Sequence, residues 1–308
     1  MPTNRLYKAA MLNETKNKIE QILLTNDVVF VIMKNEKYNL LFISKTVQLK
    51  YYKQVFWRIE TMKVHIVKDY EEMSNKAAQI IAEEIRKKPN LVMALPTGGT
   101  PTGTLAELVR MHREGGLDFS DVISLNIDEY IPLKPDNPQS YYYYLNEYLY
   151  KHVNIKPENT YVPNVVDSDL QKACKEYDEL IDKLGDLDFI LLGIGNDGHI
   201  GFNMPGPELI ANTHIENLNE DTIKANSRFF DNINEVPKQA LTSGVGIILR
   251  AKKIVLIANG KNKAEAIDRL LNQQVINPML PASLLWLHRD VTVIIDEEAA
   301  QVYRNKYT

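Results

Sequence analysis

Asp197 and His199 stand two residues apart in the stretch Leu191 to Gly206, LLGIGNDGHIGFNMPG. At that spacing a carboxylate can hold one imidazole nitrogen while the other handles a proton. The same stretch carries Gly193, Gly195, Gly198, Gly201 and Gly206. Glycines at this density let the backbone turn sharply and approach a ligand closely. An ordinary tight loop, with the Asp capping a turn and the His at the surface, would use the same residues. Position favours chemistry. The apolar run DFILLGIG leads into the loop and reads as a buried strand, and ligand sites in α/β sheets lie beyond the carboxyl ends of strands.

A second pair of carboxylates, Asp128 and Glu129, sits in NIDEY directly after another apolar run. Adjacent side chains at a strand end point in different directions. One can therefore face a cleft while the other makes a structural contact. A carboxylate in a cleft is the usual base for removing a proton from carbon next to a carbonyl or imine. The plainer alternative is an acidic loop in water.

Three further stretches suit an anion. In LPTGGTP, Leu95 to Pro101, Gly98 and Gly99 free the backbone to wrap around a ligand. Thr100 suits an N-cap and Pro101 the first helical position, so a helix N-terminus would follow with unpaired N–H groups. The spacing is neither that of a P-loop nor that of a dinucleotide fingerprint, and an ordinary capped turn fits as well. In ANSRFFDN, Arg228 could reach a phosphate or lie exposed at a helix end. In NGKNKA, Lys261 and Lys263 fall in the first turn of a helix, against its dipole, which makes more sense with an anion present.

Elements that could position these residues follow from the hydrophobic periodicity. Strands are predicted at KVHIV, NLVMALP, DVISLNI, DFILLGIG, KIVLIAN and VTVIID. Helices are predicted at 69–88, 101–114, 140–153, 169–184, 263–271 and 297–303. The tyrosine run Tyr141 to Tyr144 reads as a half-buried helix face. Alternating strands and helices with apolar strands imply a mostly parallel sheet covered on both faces. The first 61 residues differ: they hold no glycine, the first in the chain being Gly98. Thr15 to Leu24 could be a helix, and VVFVIMK, LLFIS and TVQLKYYKQVFW could be strands. An added module, a loosely docked arm and residues upstream of the natural start all fit. The last is favoured, because Met62 opens a stretch that looks like the start of an α/β domain.

The whole chain bounds the function class. Its 308 residues carry 36 Lys+Arg against 40 Asp+Glu, net −4, which gives no basic surface for nucleic acid. The one cysteine, Cys174, lies in an amphipathic helical stretch, excludes an internal disulfide and suits a reducing cytoplasm. No run approaches the ~20 apolar residues of a membrane span. The six histidines are scattered, so no metal is expected, and no G-x-S-x-G marks a serine hydrolase.

LPTGGTP, LNIDEY, NPQSY, GIGNDGHIGFN, ANSRFFDN and GKNKAEA, in this order, resemble the signatures of the glucosamine-6-phosphate deaminase family. The resemblance runs from about Met62 to the end. It implies a three-layer αβα sandwich with a modified Rossmann-like, mostly parallel sheet. It implies conversion of glucosamine 6-phosphate and water to fructose 6-phosphate and ammonia, with no cofactor. By this resemblance Asp128 is the base that moves a proton from C2 to C1, and His199, supported by Asp197, opens the sugar ring. Thr97, Gly98, Gly99, Thr100, Arg228 and Lys263 match positions that hold the substrate phosphate. The segment 207–229 resembles the family's mobile lid. The partner expected is a small amino sugar phosphate, with monomer and homo-oligomer both open. A galactosamine-6-phosphate isomerase, a 6-phosphogluconolactonase and a catalytically weakened sugar-phosphate-binding protein are the alternatives.

Two departures stand out. Met204 occupies a position where the family places a glutamate of the ring-opening relay, and a thioether accepts only weak hydrogen bonds and carries no charge. Slowed ring opening with the C2 proton transfer retained is therefore expected. Where some members bind an activating sugar phosphate, this chain has Pro207, His214 and Glu216, and Glu216 would repel a phosphate. No such activation is expected.

Overall fold

The structure is a computed structural model that describes residues 18–25, 28–35, 38–44, 62–273 and 275–305. The chain divides into two compact units, Met1–Ile59 and Glu60–Thr308. In the first, β1 (Lys18–Thr25), β2 (Val28–Asn35) and β3 (Tyr38–Ser44) form an antiparallel meander. The expected helix at 15–24 is thus a strand over its described part. KIEQILLT carries β-branched and apolar residues that suit a strand, and its backbone pairs with VVFVIMKN, which outweighs the weak helical propensity. The proposed strand at 46–57 lies outside the described residues.

The second unit is built on a seven-stranded sheet. Its strands are β4 (Lys63–Val67), β5 (Val92–Leu95), β6 (Ile123–Asn126), β8 (Thr160–Tyr161), β9 (Phe189–Leu192), β12 (Lys253–Ala258) and β13 (Val291–Asp296). Their spatial order is β4-β13-β12-β9-β5-β6-β8, and every pairing is parallel. Side-chain alternation along the strands feeds two cores. On one face Ala94, Leu125, Ile190, Leu192 and Leu256 pack with Ile181, Ile248 and Ile267. On the other, Met93, Leu95, Phe189, Leu191 and Ile257 pack with Ala78, Ile81, Leu105 and Leu145. The helices that supply them include α1 (Tyr70–Lys87), α2 (Thr102–Gly115), α3 (Tyr141–Tyr148) and α4 (Leu170–Lys183), with α6 (Val245–Arg250) and α7 (Ala264–Gln273). This is the three-layer αβα sandwich that alternating buried strands dictate. Each fully buried Leu, Ile or Phe contributes roughly 1.5–3 kcal/mol to holding it.

The chain leaves β5 towards β6 and β8, then returns to β9 on the other side of β5. That reversal opens a crevice at the carboxyl ends of β5 and β9. Beside it lies a small antiparallel sheet that the sequence did not announce: β7 (Asp128–Ile131), β10 (His214–Asn217) and β11 (Gln239–Thr242), ordered β10-β11-β7. A helix α5 (Glu220–Asn226) follows β10.

Several expected boundaries shift, among them the last helix, which lies at Gln301–Asn305 where 297–303 was expected. The α2 helix begins at Thr102 behind Pro101, and Thr100 is not its cap. Thr100 Oγ1 instead donates to Asn259 Oδ1 at 2.8 Å, tying the turn after β5 to the turn after β12. The helix expected over 140–153 stops at Tyr148, and a 3₁₀ turn, Tyr150–His152, completes it. Ser140 caps its start, accepting from Tyr143 N.

Candidate functional site

The turn after β5 presents Thr97, Gly98, Gly99 and Thr100 at the crevice. Gly98 has φ +96°, a conformation that side chains rarely adopt. Three hydroxyls fix the turn's carbonyls. Tyr144 Oη and Thr102 Oγ1 donate to Gly98 O at 2.8 and 3.1 Å, and Tyr70 Oη donates to Gly99 O at 3.1 Å. The tyrosine run thus forms a half-buried helix face, and it also supplies an anchor for this turn. A turn whose carbonyls are engaged in this way can offer N–H groups to an anion.

Arg228 approaches from a 3₁₀ turn, Ser227–Phe229, just after α5. Its Nη2 lies 3.9 Å from where a Cβ on Gly99 would stand. Lys263 arrives from the turn after β12, in the 3₁₀ segment Lys261–Lys263 that leads into α7. Burial lowers the Lys263 ammonium to about 8, with repulsion from Arg228 adding and attraction to Asp197 opposing. Three separate loops therefore bring two cations and a glycine turn together. In the turn after β12, Gly260 N donates to both oxygens of the buried Asp296, at 3.0 Å each.

Asp128 opens β7, one residue beyond β6 and Ile127. It is only 8% exposed. Burial and the neighbouring charge of Glu129 push its carboxyl up to about 8. Glu129 is 1% exposed and points elsewhere. Its oxygens accept Tyr130 N at 2.9 Å, Tyr141 N at 2.8 Å and Tyr142 N at 3.0 Å, the last two being the first N–H groups of α3. Burial raises Glu129 to about 7 against the pull of those donors. Glu129 therefore makes the structural contact expected of one of the pair, and Asp128 does not share those partners.

After β9 the glycine loop turns back on itself. Asp197 Oδ1 accepts from the His199 ring at Nδ1, 2.7 Å away, and from the His199 backbone N–H at 3.1 Å. A carboxylate can only accept here, so Nδ1 carries the proton and Nε2 is left to exchange one. Burial alone would raise the Asp197 carboxyl. The hydrogen bond and charge of His199, with the Asn219 side chain, hold it well below the usual carboxylate range. Gly195 is required at its position. A Cβ there would stand 2.2 Å from His199 Nδ1 and 2.6 Å from Asp197 Oδ1. Gly198 has φ +97°, and a Cβ on it would meet Leu280 Cδ1 at 2.2 Å.

The small sheet joins this loop to Asp128. Thr242 pairs with Asp128 across the β7–β11 ladder and with His214 across β10–β11. Its Oγ1 accepts from Phe202 N at 3.1 Å. A Cβ on Gly201 would lie 3.2 Å from that Oγ1 and 3.1 Å from Ile127 Cγ2. The glycine loop after β9 is thus packed directly against Ile127 and Thr242, beside Asp128.

Met204 is 8% exposed, in an apolar cluster with Tyr130, Phe202, Leu218 and Ala240. Its Sδ accepts from Asn219 Nδ2 at 3.6 Å and from Thr222 Oγ1 at 3.7 Å. The imidazole of His214 is occupied internally, at 2.9 Å from Asn212 O and 3.3 Å from Glu216 Oε2. Asn219, Thr242, Tyr144 and Tyr70 were not legible as site residues. Each acts through a contact far along the chain, and only the tyrosine run had drawn notice.

The family model described as glucosamine-6-phosphate isomerases/6-phosphogluconolactonase matches residues 68–294. A protein of Thermoanaerobacter sp. (strain X514) called glucosamine-6-phosphate deaminase is 51% identical over 241 residues, covering 78% of this chain and 95% of its own length. A solved structure of a monomeric glucosamine-6-phosphate deaminase superposes with TM-score 0.77 at 47% identity, over 78% of this chain and 100% of the other. A 6-phosphogluconolactonase from Trypanosoma cruzi shares the fold at TM-score 0.63 and 21% identity, over 78% and 96% of the two chains. With the predicted motifs gathered at one crevice of the fold these proteins share, the chain belongs to the glucosamine-6-phosphate isomerase/6-phosphogluconolactonase family.

Proposed function

We propose that residues 62–308 form the catalytic unit of a hydrolytic, aldose–ketose isomerising glucosamine-6-phosphate deaminase. The observation that carries this reading is the buried Asp128 carboxyl at a strand end, raised to about 8, with the loop that holds the Asp197–His199 pair packed through Gly201 against the adjoining Ile127. Relatives of the deaminase kind are about half identical to this chain, whereas the lactonase above is 21% identical and speaks for the fold alone.

Each residue has a role that its setting permits. Arg228, Lys263 and the turn from Thr97 to Thr100 hold the 6-phosphate. That remote binding keeps the sugar in place while C1 and C2 react. His199 Nε2 takes the proton of the anomeric hydroxyl and returns one to the ring oxygen, opening the ring. The imidazolium formed in between is stabilised by Asp197. C2–H is then acidic beside the C1 aldehyde. Asp128 removes this proton while O1 gains one, giving an enolamine, and then delivers its proton to C1 as the amino group gives up a proton in turn. The resulting C2 imine takes up water and releases ammonia, leaving fructose 6-phosphate. A carboxyl raised towards neutrality in a dry setting is a stronger base than one in water. The direct test is ammonia release from purified protein supplied with glucosamine 6-phosphate. Sugar-phosphate binding with no ammonia would sink the reading.

Met204 limits the ring-opening half. Its sulfur cannot carry charge, so His199 keeps Asp197 but lacks a second carboxylate near by. Replacing it, Met204→Glu, is expected to raise kcat about 10-fold, part of the 10²–10⁴ that acid–base assistance supplies. The gain comes with a lower Tm, because a carboxylate replaces an apolar group in the cluster of Tyr130, Phe202 and Leu218. An unchanged kcat on the cyclic sugar would remove Met204 as the limit.

Gly195→Ala tests the loop. The added methyl displaces either His199 or Asp197, so kcat is expected to fall at least 10-fold while binding of the sugar phosphate persists. Wild-type turnover in this variant would mean that the pair plays no part in the slow step.

A further inference from the structure

Asp197 is held from two sides. From its own loop, Oδ1 accepts both N–H groups of His199. From outside, Oδ2 accepts Asn219 Nδ2 at 3.2 Å. Asn219 is the N-cap of α5, and its Oδ1 accepts Thr222 N at 2.7 Å. That bond fixes which way the amide faces: with oxygen on the helix, nitrogen must point at Asp197. The same Nδ2 touches Met204 Sδ.

The helix that Asn219 caps connects the two ends of the site. Seven residues of α-helix span about 10 Å. At the near end is the Asp197–His199 pair. At the far end the chain passes into the 3₁₀ turn that carries Arg228 to Gly99. A sugar phosphate has its reacting carbons and its phosphate at opposite ends, so one short rigid element touches the partners of both.

We propose that Asn219 is a positioning residue for ring opening, holding Asp197 from the α5 side so that seating of the phosphate on Arg228 sets the orientation of His199. This rests on the deaminase reading above. It gives α5 a task that capping alone does not require, since Ser or Asp would cap equally well. It also identifies what stands beside Asp197 where Met204 offers no carboxylate: a neutral amide that donates.

The test uses Asn219→Ser and Asn219→Asp in the full chain. Both retain a capping oxygen, but serine is too short to reach Asp197 and aspartate has no N–H to give. The first readout is independent of turnover. In the free protein the His199 Nδ1 proton, bonded to a carboxylate, gives a far-downfield NMR resonance, assigned by its loss in His199→Gln. It is expected in the wild type and expected to vanish by exchange in both Asn219 variants, with Tm within about 3 °C of wild type. The second readout is kinetic. Serine is expected to lower kcat about 10-fold with KM changed less than about 3-fold, and adding Met204→Glu is expected to restore part of that loss. A resonance and kcat that persist in both variants would overturn the proposal, as would absence of the resonance from the wild type. A fall in Tm with a parallel rise in KM and an intact resonance would reduce Asn219 to a cap. Loss of the resonance in the variants of a protein that releases no ammonia would leave the positioning role standing and remove the deaminase reading.

Discussion

Replacing Asp128 by asparagine is expected to cut ammonia release about 10³-fold, within the 10²–10⁴ range of a lost general base. The exchange is nearly isosteric, so the fold and the phosphate site should survive and KM should move little. The pH profile of the wild type provides an independent check. The carboxyl must be ionised to accept the C2 proton, and its value in the free protein is about 8. The acid limb of kcat/KM is therefore expected near that value, well above an ordinary carboxylate. Stability should run the other way. Between the unfolded value, 3.8, and the folded value, about 8, the folded state binds the extra proton. The contribution of Asp128 is fully present below the lower value and is lost as pH rises through the higher one. Asp128→Asn is thus expected to melt at or above the wild type at pH 9, with the difference shrinking towards pH 4. A variant that keeps wild-type turnover would remove Asp128 as the base. One that melts lower at pH 9 would contradict its burial as a strained carboxylate.

Lys263→Met is expected to raise KM for glucosamine 6-phosphate about 10- to 100-fold, with kcat within about 3-fold. A charge-assisted hydrogen bond is worth about 1.5–3 kcal/mol, and each 1.4 kcal/mol is a factor of ten in affinity. The phosphate is remote from the reacting carbons, so its contact is felt equally in the ground and transition states. Lys263 also has a cost in the empty site. Its ammonium is lowered from 10.5 to about 8 by burial and by Arg228, which means the folded protein disfavours the charge below that range. Near pH 7, the Lys263→Met variant should therefore be as stable as the wild type or more so. A bound phosphate would reverse the shift, drawing a proton onto Lys263 around pH 8. Glucosamine without its phosphate gives the control, because its weak turnover should not respond to this substitution. An unchanged KM for the phosphorylated sugar would take Lys263 out of the phosphate site.

The large features of the fold were written in hydrophobic pattern. FILL and KIVLIA are buried along almost their whole length, and runs of that kind have few places to go except the middle of a covered sheet. The loops that follow them were legible because glycines and charged residues cluster there against the grain of ordinary packing. What failed was local. Thr100 has the chemistry of a cap, but Asn259 in another loop takes its hydroxyl. The stretch KIEQILL permits a helix, but a neighbouring strand decides otherwise. The small sheet escaped notice because its strands are four residues long, too short for an alternation to show. Asn219 escaped because LNED reads as a helix start and nothing more. Its second bond reaches back 22 residues, and no spacing rule encodes that.

In the proposed phosphate site, the three hydroxyls on the carbonyls of Gly98 and Gly99 settle part of the ordering before a ligand arrives. Because that turn is already anchored to α1, α2 and α3, it has little configurational freedom left to surrender when an anion arrives. In that proposed site, the remaining cost of ordering would fall on the other wall, the segment that bears Arg228. Affinity in such a site is set less by the turn that grips than by how readily the opposite wall comes to rest. Sequence drift in α5 and its flanks would retune residence time, while the glycine turn stays fixed as a mould.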